Sequence, residues 1–170
     1  ECRPHVVGPD CEDFRFVRLE AGGAASLGIL ENGSGVFWGE VSARRPVFVL
    51  ISTTSVASNL ACGLDGDGRA HCWSSSNIDA PEWVPPAEVV FTDVTTGTSS
   101  LTGVDALGAV GHACGLSQDG RAYCWGSMTS APEDTVFEVI DAGRGYTVGI
   151  SRDGQVVEWG RRVARSLNRL

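Results

Sequence analysis

Apolar positions in this chain recur in short alternating runs, and most runs stop at a glycine or an Asn/Asp-Gly pair. Alternation over roughly four to eight residues between such turn signals is the pattern of half-buried β-strands rather than amphipathic helices. One phrase then repeats: "GILENGSGVFWG" from Gly28, "GLDGDGRAHCWS" from Gly63, "GLSQDGRAYCWG" from Gly115 and "GISRDGQVVEWG" from Gly149. In each copy a glycine stands five positions on (Gly33, Gly68, Gly120, Gly154) and a tryptophan ten positions on (Trp38, Trp73, Trp125, Trp159). Each copy predicts a β-hairpin, with a glycine that adopts positive φ without a Cβ penalty and a return strand that ends in Trp.

A three-residue loop centred on Asp119 sets Cys114 opposite Cys124, and the same register sets Cys62 opposite Cys72, Leu27 opposite Phe37 and Val148 opposite Glu158. The hairpin cores fall near 27–39, 62–74, 114–126 and 148–160, each preceded by a β-prone segment such as "FRFVRLEAGG" or "VFEVIDAGRG". Glycine-to-glycine spacings of 35, 52 and 34 fit four short strands per unit, with an insertion in the third around Thr95–Asp105. Such a unit is apolar on both faces and cannot hide them alone, so neighbours must stack. Radial stacking gives an all-β propeller of four-stranded antiparallel blades, about four of them, closed as a small ring or left as an open arc. The expected organisation is an N-terminal cysteine segment (1–13), the repeats (14–160) and a basic tail (161–170) that spaces Val163, Leu167 and Leu170 at helical intervals.

Composition narrows the setting. Among 170 residues, 22 are glycine and the net charge is -8. An acidic balance argues against general nucleic-acid binding, which needs a basic surface. No apolar run reaches the ~20 residues of a spanning helix. The six cysteines form three local pairs, Cys2 with Cys11, Cys62 with Cys72 and Cys114 with Cys124, without zinc-like spacings. Read as disulfides, they place the protein in an oxidising compartment, secreted or at an extracellular surface, with the periplasm as the other such setting. The start at Glu1, without a charged and apolar leader, is what a processed mature form or a trimmed chain shows.

The phrase "HACGLSQDGRAYCWG" with its preceding small-residue turn resembles the regulator of chromosome condensation (RCC1-like) repeat, in its secreted, disulfide-bearing type. The resemblance spans roughly 14–160 and implies four-stranded propeller blades, commonly seven, with ligands on a loop-bearing face. It also implies a choice of roles: exchange factor for a small nuclear GTPase, receptor ectodomain, or proteinaceous inhibitor of β-lactamases. Four units instead of seven, cysteine pairs read as disulfides and an acidic balance depart from the nuclear role.

No spacing assembles a nucleophile, an acid/base pair or a metal set, so the chain is expected to be no enzyme and to take no cofactor, metal or small-molecule substrate. The aligned tryptophans Trp38, Trp73, Trp125 and Trp159 are core candidates. Binding candidates are Trp83, off the repeat register in "APEWVPPAE", together with Arg144, Tyr146 and His112, the last two sharing one offset before the hairpin glycine. Two functions follow: a secreted module that binds another protein through a loop face, or a structural subunit of an extracellular homo-oligomer or filament built blade to blade.

Overall fold

A computed structural model describes residues 15–22, 25–39, 47–57, 60–74, 84–98, 111–128 and 130–160. The expected Cys2–Cys11 pair, Trp83, the basic tail and most of the third-unit insertion lie outside the described residues. Every regular element is a strand: β1 (Phe16–Gly22), β2 (Ala25–Leu30), β3 (Ser34–Gly39), β4 (Val47–Ala57), β5 (Leu60–Asp65), β6 (Ala70–Ser74), β7 (Phe91–Thr98), β8 (Gly111–Ser117), β9 (Ala122–Gly126), β10 (Phe137–Ala142), β11 (Tyr146–Ser151) and β12 (Val156–Gly160). They form four antiparallel three-stranded meanders, β1–β2–β3, β4–β5–β6, β7–β8–β9 and β10–β11–β12. The first two are joined into one six-stranded order through two β3–β4 register pairs, Ser34↔Leu50 and Gly35↔Val47. Among the described residues each unit shows three strands. Residues 130–136, between the third and fourth meanders, run as a loop with a turn at Glu133–Asp134. The long third spacing falls largely on the β7–β8 connection, 99–110, where the other units need two or three residues.

The hairpin registers are those the repeats predict: Leu27↔Phe37, Cys62↔Cys72, Cys114↔Cys124 and Val148↔Glu158. Both described cysteine pairs are disulfides. The turns are fastened twice. Gly120 N–H donates to Ser117 O at 2.9 Å, and Ser117 Oγ accepts from Arg121 N–H at 3.1 Å while donating to Asp119. Those bonds hold the Asp119 carboxyl below the usual carboxylate range, the Ser117 hydroxyl contributing most, and Ser151 does the same for Asp153.

Register assigns the two faces of each sheet, a leading face toward the preceding unit and a trailing face toward the next. The trailing face of the second unit (Leu60, Cys62, Leu64) forms one buried cluster with the leading face of the third (Phe91, Val94, Ala113, Trp125). The trailing face of the third (Cys114, Leu116) does the same with Phe137, Ile140 and Trp159 of the fourth. Each disulfide therefore lies beneath the tryptophan of the following unit, and Trp125 Nε1–H donates to Cys72 Sγ at 3.2 Å. Phe91 and Trp125 sit 5.7 Å apart, Phe137 and Trp159 5.1 Å, so one aromatic pair fills each junction. Trp125 and Trp159 are buried in these junctions. Trp38 and Trp73 are placed at the equivalent positions by backbone register.

The hairpin glycine has a second duty at these junctions. Phe91 N–H donates to Gly68 O at 2.8 Å and Phe137 N–H to Gly120 O at 2.7 Å, so each turn receives the first strand of the next unit. A Cβ on Gly120 (φ +83°) would meet Val136 Cγ1 at 2.6 Å and Phe137 O at 2.8 Å, whereas Gly154 (φ +80°) has nothing within 4 Å. Gly154→Ala is expected to cost about 1–2 kcal/mol, the penalty of the left-handed backbone alone. Gly120→Ala carries the collision as well and should cost at least about twice that. Urea unfolding of the two variants checks the order, and equal losses would contradict the second duty.

Candidate functional site

The binding candidates separate once placed. His112 stands on the trailing face of the third unit and is fully buried, covered by the fourth. Its Nε2 lies 2.9 Å from Thr147 Oγ1, which is also 3.5 Å from Cys114 Sγ. The space over the ring is close: a Cβ on Gly97 would come within 2.5 Å of His112 Cε1. Burial pushes the His112 pKa down to about 4, so the ring is neutral near pH 7. Its Nδ1 has no hydrogen-bond partner. A side chain enclosed in this way packs blade against blade, in keeping with the structural reading of its offset rather than the contact one.

Tyr146 holds the same offset one unit later and is only half-buried, because no further unit covers that face among the described residues. Its ring leans on Gly143, where an added Cβ would lie 2.5 Å from Tyr146 Cζ. Arg144 is exposed on the β10–β11 turn beside it. That turn is held to the third unit by Gly145 N–H donating to Thr98 O at 2.9 Å, and nearby Ala142 N–H donates to Thr95 Oγ1 at 2.9 Å. Arg144 and Tyr146 thus share one braced turn, while His112 is buried against the Tyr146 backbone.

Next to Tyr146 the trailing face of the fourth sheet continues as a cross-strand row. Val139 pairs with Ile150 and Ile150 with Val156, so the three side chains share one face. They are 44%, 41% and 49% exposed. Asp141, Val148 and Glu158 form the neighbouring row. In the third unit the same row is Asp93, Leu116 and Ala122, and Leu116 is buried there by the fourth unit. Nothing in the local sequence marks Val139, Ile150 and Val156 as exposed, since their alternation is that of any covered strand. The aligned repeat offsets name their row, but only the stacking order shows that it is bare.

An open groove of about 440 Å³ lies at the other rim of this unit, lined by residues including Asp134, Val136, Ser151, Arg152 and Asp153. Of its two lining hydroxyl residues, Thr135 and Ser151, the latter's Oγ is committed to the turn through Asp153, Gln155 O and Gln155 N–H. The groove is therefore the outer wall of a fastened hairpin.

Residues 106–130 match the family described as "Regulator of chromosome condensation (RCC1) repeat". No curated protein matches the chain. Among solved structures, the fold is similar to the CRINKLY WD40 ectodomain from the Arabidopsis thaliana receptor kinase ACR4, with TM-score 0.70 and 22% identity over 92% of this chain and 55% of that one. It is similar to the ectodomain from the Physcomitrella patens receptor kinase CR4, with TM-score 0.70 and 21% identity over 92% and 43%. Prp20p from Saccharomyces cerevisiae, described with its binding to Gsp1p and histones, gives TM-score 0.64 and 18% identity over 89% and 47%. The chain spans about half the length of these solved chains. The likeness to these structures establishes the β-propeller fold, and the repeat match is confined to residues 106–130.

The buried imidazole makes stability depend on pH. With its folded pKa near 4 and an unfolded value near 6.5, the unfolded chain binds one more proton between those values, so stability falls on acidification through that window. Moving from pH 7 to pH 4.5 is expected to remove about 2–3 kcal/mol through this group. Urea unfolding at the two pH values, compared with His112→Gln, checks it, since the variant lacks this component of the loss.

Proposed function

We propose that this array of RCC1-like repeats is a secreted, non-enzymatic module that binds another protein through one loop face, at the β10–β11 turn of the fourth unit. The observation that carries the reading is the pairing of exposed Arg144 with half-buried Tyr146 on a turn anchored to the neighbouring blade. An exposed arginine and a half-buried tyrosine two residues apart on a braced turn present a cation and an aromatic ring on backbone that is already ordered, which favours protein recognition. The two cross-strand disulfides favour an oxidising compartment and hence secretion. Function on this fold belongs to the surface rather than to the repeat itself.

Removing both side chains tests the site. The double variant Arg144→Ala/Tyr146→Ala is expected to recover at least about tenfold less of any protein that the wild-type chain captures from an extracellular fraction, a loss typical of interface anchors. Capture that is unchanged would remove these residues from the contact. A second reading, a structural subunit that associates with its own copies, is favoured by the exposed apolar row on the fourth sheet.

A further inference from the structure

The two disulfides differ in which of their sulfurs meets a hydrogen-bond donor. In both, the cysteine on the middle strand is fully buried, Cys62 in β5 and Cys114 in β8, whereas Cys72 and Cys124 on the return strands are half-buried. In the second unit the donor is Trp125 Nε1–H, 3.2 Å from Cys72 Sγ, the half-buried sulfur. In the third unit the fully buried Thr147 places Oγ1 3.5 Å from Cys114 Sγ, the buried sulfur. A disulfide sulfur has no hydrogen to give, so Thr147 is the donor there, and its oxygen then accepts from His112 Nε2–H at 2.9 Å. That tautomer leaves Nδ1 as a bare lone pair, and Nδ1 is the ring atom without a partner. Both pairs stand ten residues apart in the chain, so the contrast comes from the neighbouring unit alone.

We propose that Cys114–Cys124 is a thiol-exchange site, opened by attack of a small thiol on Cys124 with Cys114 as the leaving group, and that Cys62–Cys72 resists the same reagent. Exchange is fast where the attacked sulfur is accessible and the departing sulfur is a good leaving group. The incoming thiolate bonds to Cys124 Sγ, the S–S bond breaks, and its electron pair goes to Cys114. Cys114 departs as an anion inside an apolar junction, where the charge is costly unless a donor meets it. The Thr147 hydroxyl is already in place, and its bond to sulfur strengthens as the charge builds. Cys114 then takes up the proton that the attacking thiol gave to solvent. A second thiol releases Cys124 from the mixed disulfide, so two small thiols are oxidised to one disulfide while the protein gains two cysteine thiols. In the second unit the polarity is reversed. Attack on half-buried Cys72 expels Cys62, yet the donor sits on Cys72, and an attack that used this donor would have to reach fully buried Cys62. Cys114 shares one buried cluster with Phe137, Ile140 and Trp159, so exchange at this pair loosens the contact between the third and fourth units.

The native chain is incubated with reduced glutathione, quenched in acid at intervals, alkylated and mapped by peptide mass spectrometry. Cys114–Cys124 is expected to open at least about tenfold faster than Cys62–Cys72, with the trapped mixed disulfide on Cys124. In denaturing urea the two pairs should open at similar rates, and a difference that persists there belongs to local sequence and overturns the proposal. Thr147→Val removes the hydroxyl and should slow the third-unit pair at least about tenfold while leaving the second-unit pair unchanged, and Thr147→Ser should restore the rate. A merely structural loss would loosen the junction and speed the reaction, so slowing is the sign that separates the two roles. Circular dichroism and melting report whether the valine variant folds, and the wild-type rates and the position of the mixed disulfide decide the matter without it. Equal rates in the native chain, a faster Cys62–Cys72, a mixed disulfide on Cys114, or a folded Thr147→Val that reacts like the wild type each overturn the proposal.

Discussion

Every meander in this protein is apolar on both faces, and covering those faces is the constraint on which the rest of the structure depends. A lone three-stranded sheet of this size leaves too much apolar surface in water to be stable. Stacking resolves the difficulty by giving each trailing face a leading face to meet, and the two buried clusters between the second, third and fourth units are the result. The Gly68 and Gly120 turns are part of that contact, since each accepts a backbone hydrogen bond from the strand that opens the next unit. A residue with a side chain there would both strain the turn and hold the next unit away.

The disulfides belong to the same junctions. Cys62–Cys72 and Cys114–Cys124 bridge facing strands of a hairpin, and both lie on trailing faces. They tie the hairpin and also form the compact apolar floor on which the next tryptophan rests. In the first unit Leu27 and Phe37 hold the same paired positions by backbone register, and Leu27 is buried. The fourth places Val148 and Glu158 there. A carboxylate is costly on a face sealed by another blade unless it is paired, so its presence fits a face that keeps some access to water or polar partners.

Which copies of a shared position reach solvent depends on what lies over each sheet among the described residues. His112 and Tyr146 occupy one offset of the repeat, yet one is sealed and neutral while the other stands half-open beside Arg144. Covering converts the position from a recognition surface into packing. The same contrast separates buried Leu116 from exposed Ile150. Both readings of function, a foreign protein at the loop face and a second copy at the sheet face, draw on surface that an internal unit has already used.

The amino-acid sequence alone determined the hairpins, their registers and the cysteine partners, because an Asp-Gly turn and a ten-residue spacing are local geometry. It also determined that the units must stack, because alternation puts apolar side chains on both faces. Tertiary structure decided which copies of a shared position are hidden. From its offset His112 reads as either a structural or a contact residue, and the fourth unit lying over it is what buries it. Val139, Ile150 and Val156 read as ordinary strand interior, yet no sheet among the described residues covers them and they are exposed. Burial is a property of neighbours distant in the chain, whereas turns and registers are set within a dozen residues, and that difference in range divides what the sequence makes legible from what the fold supplies.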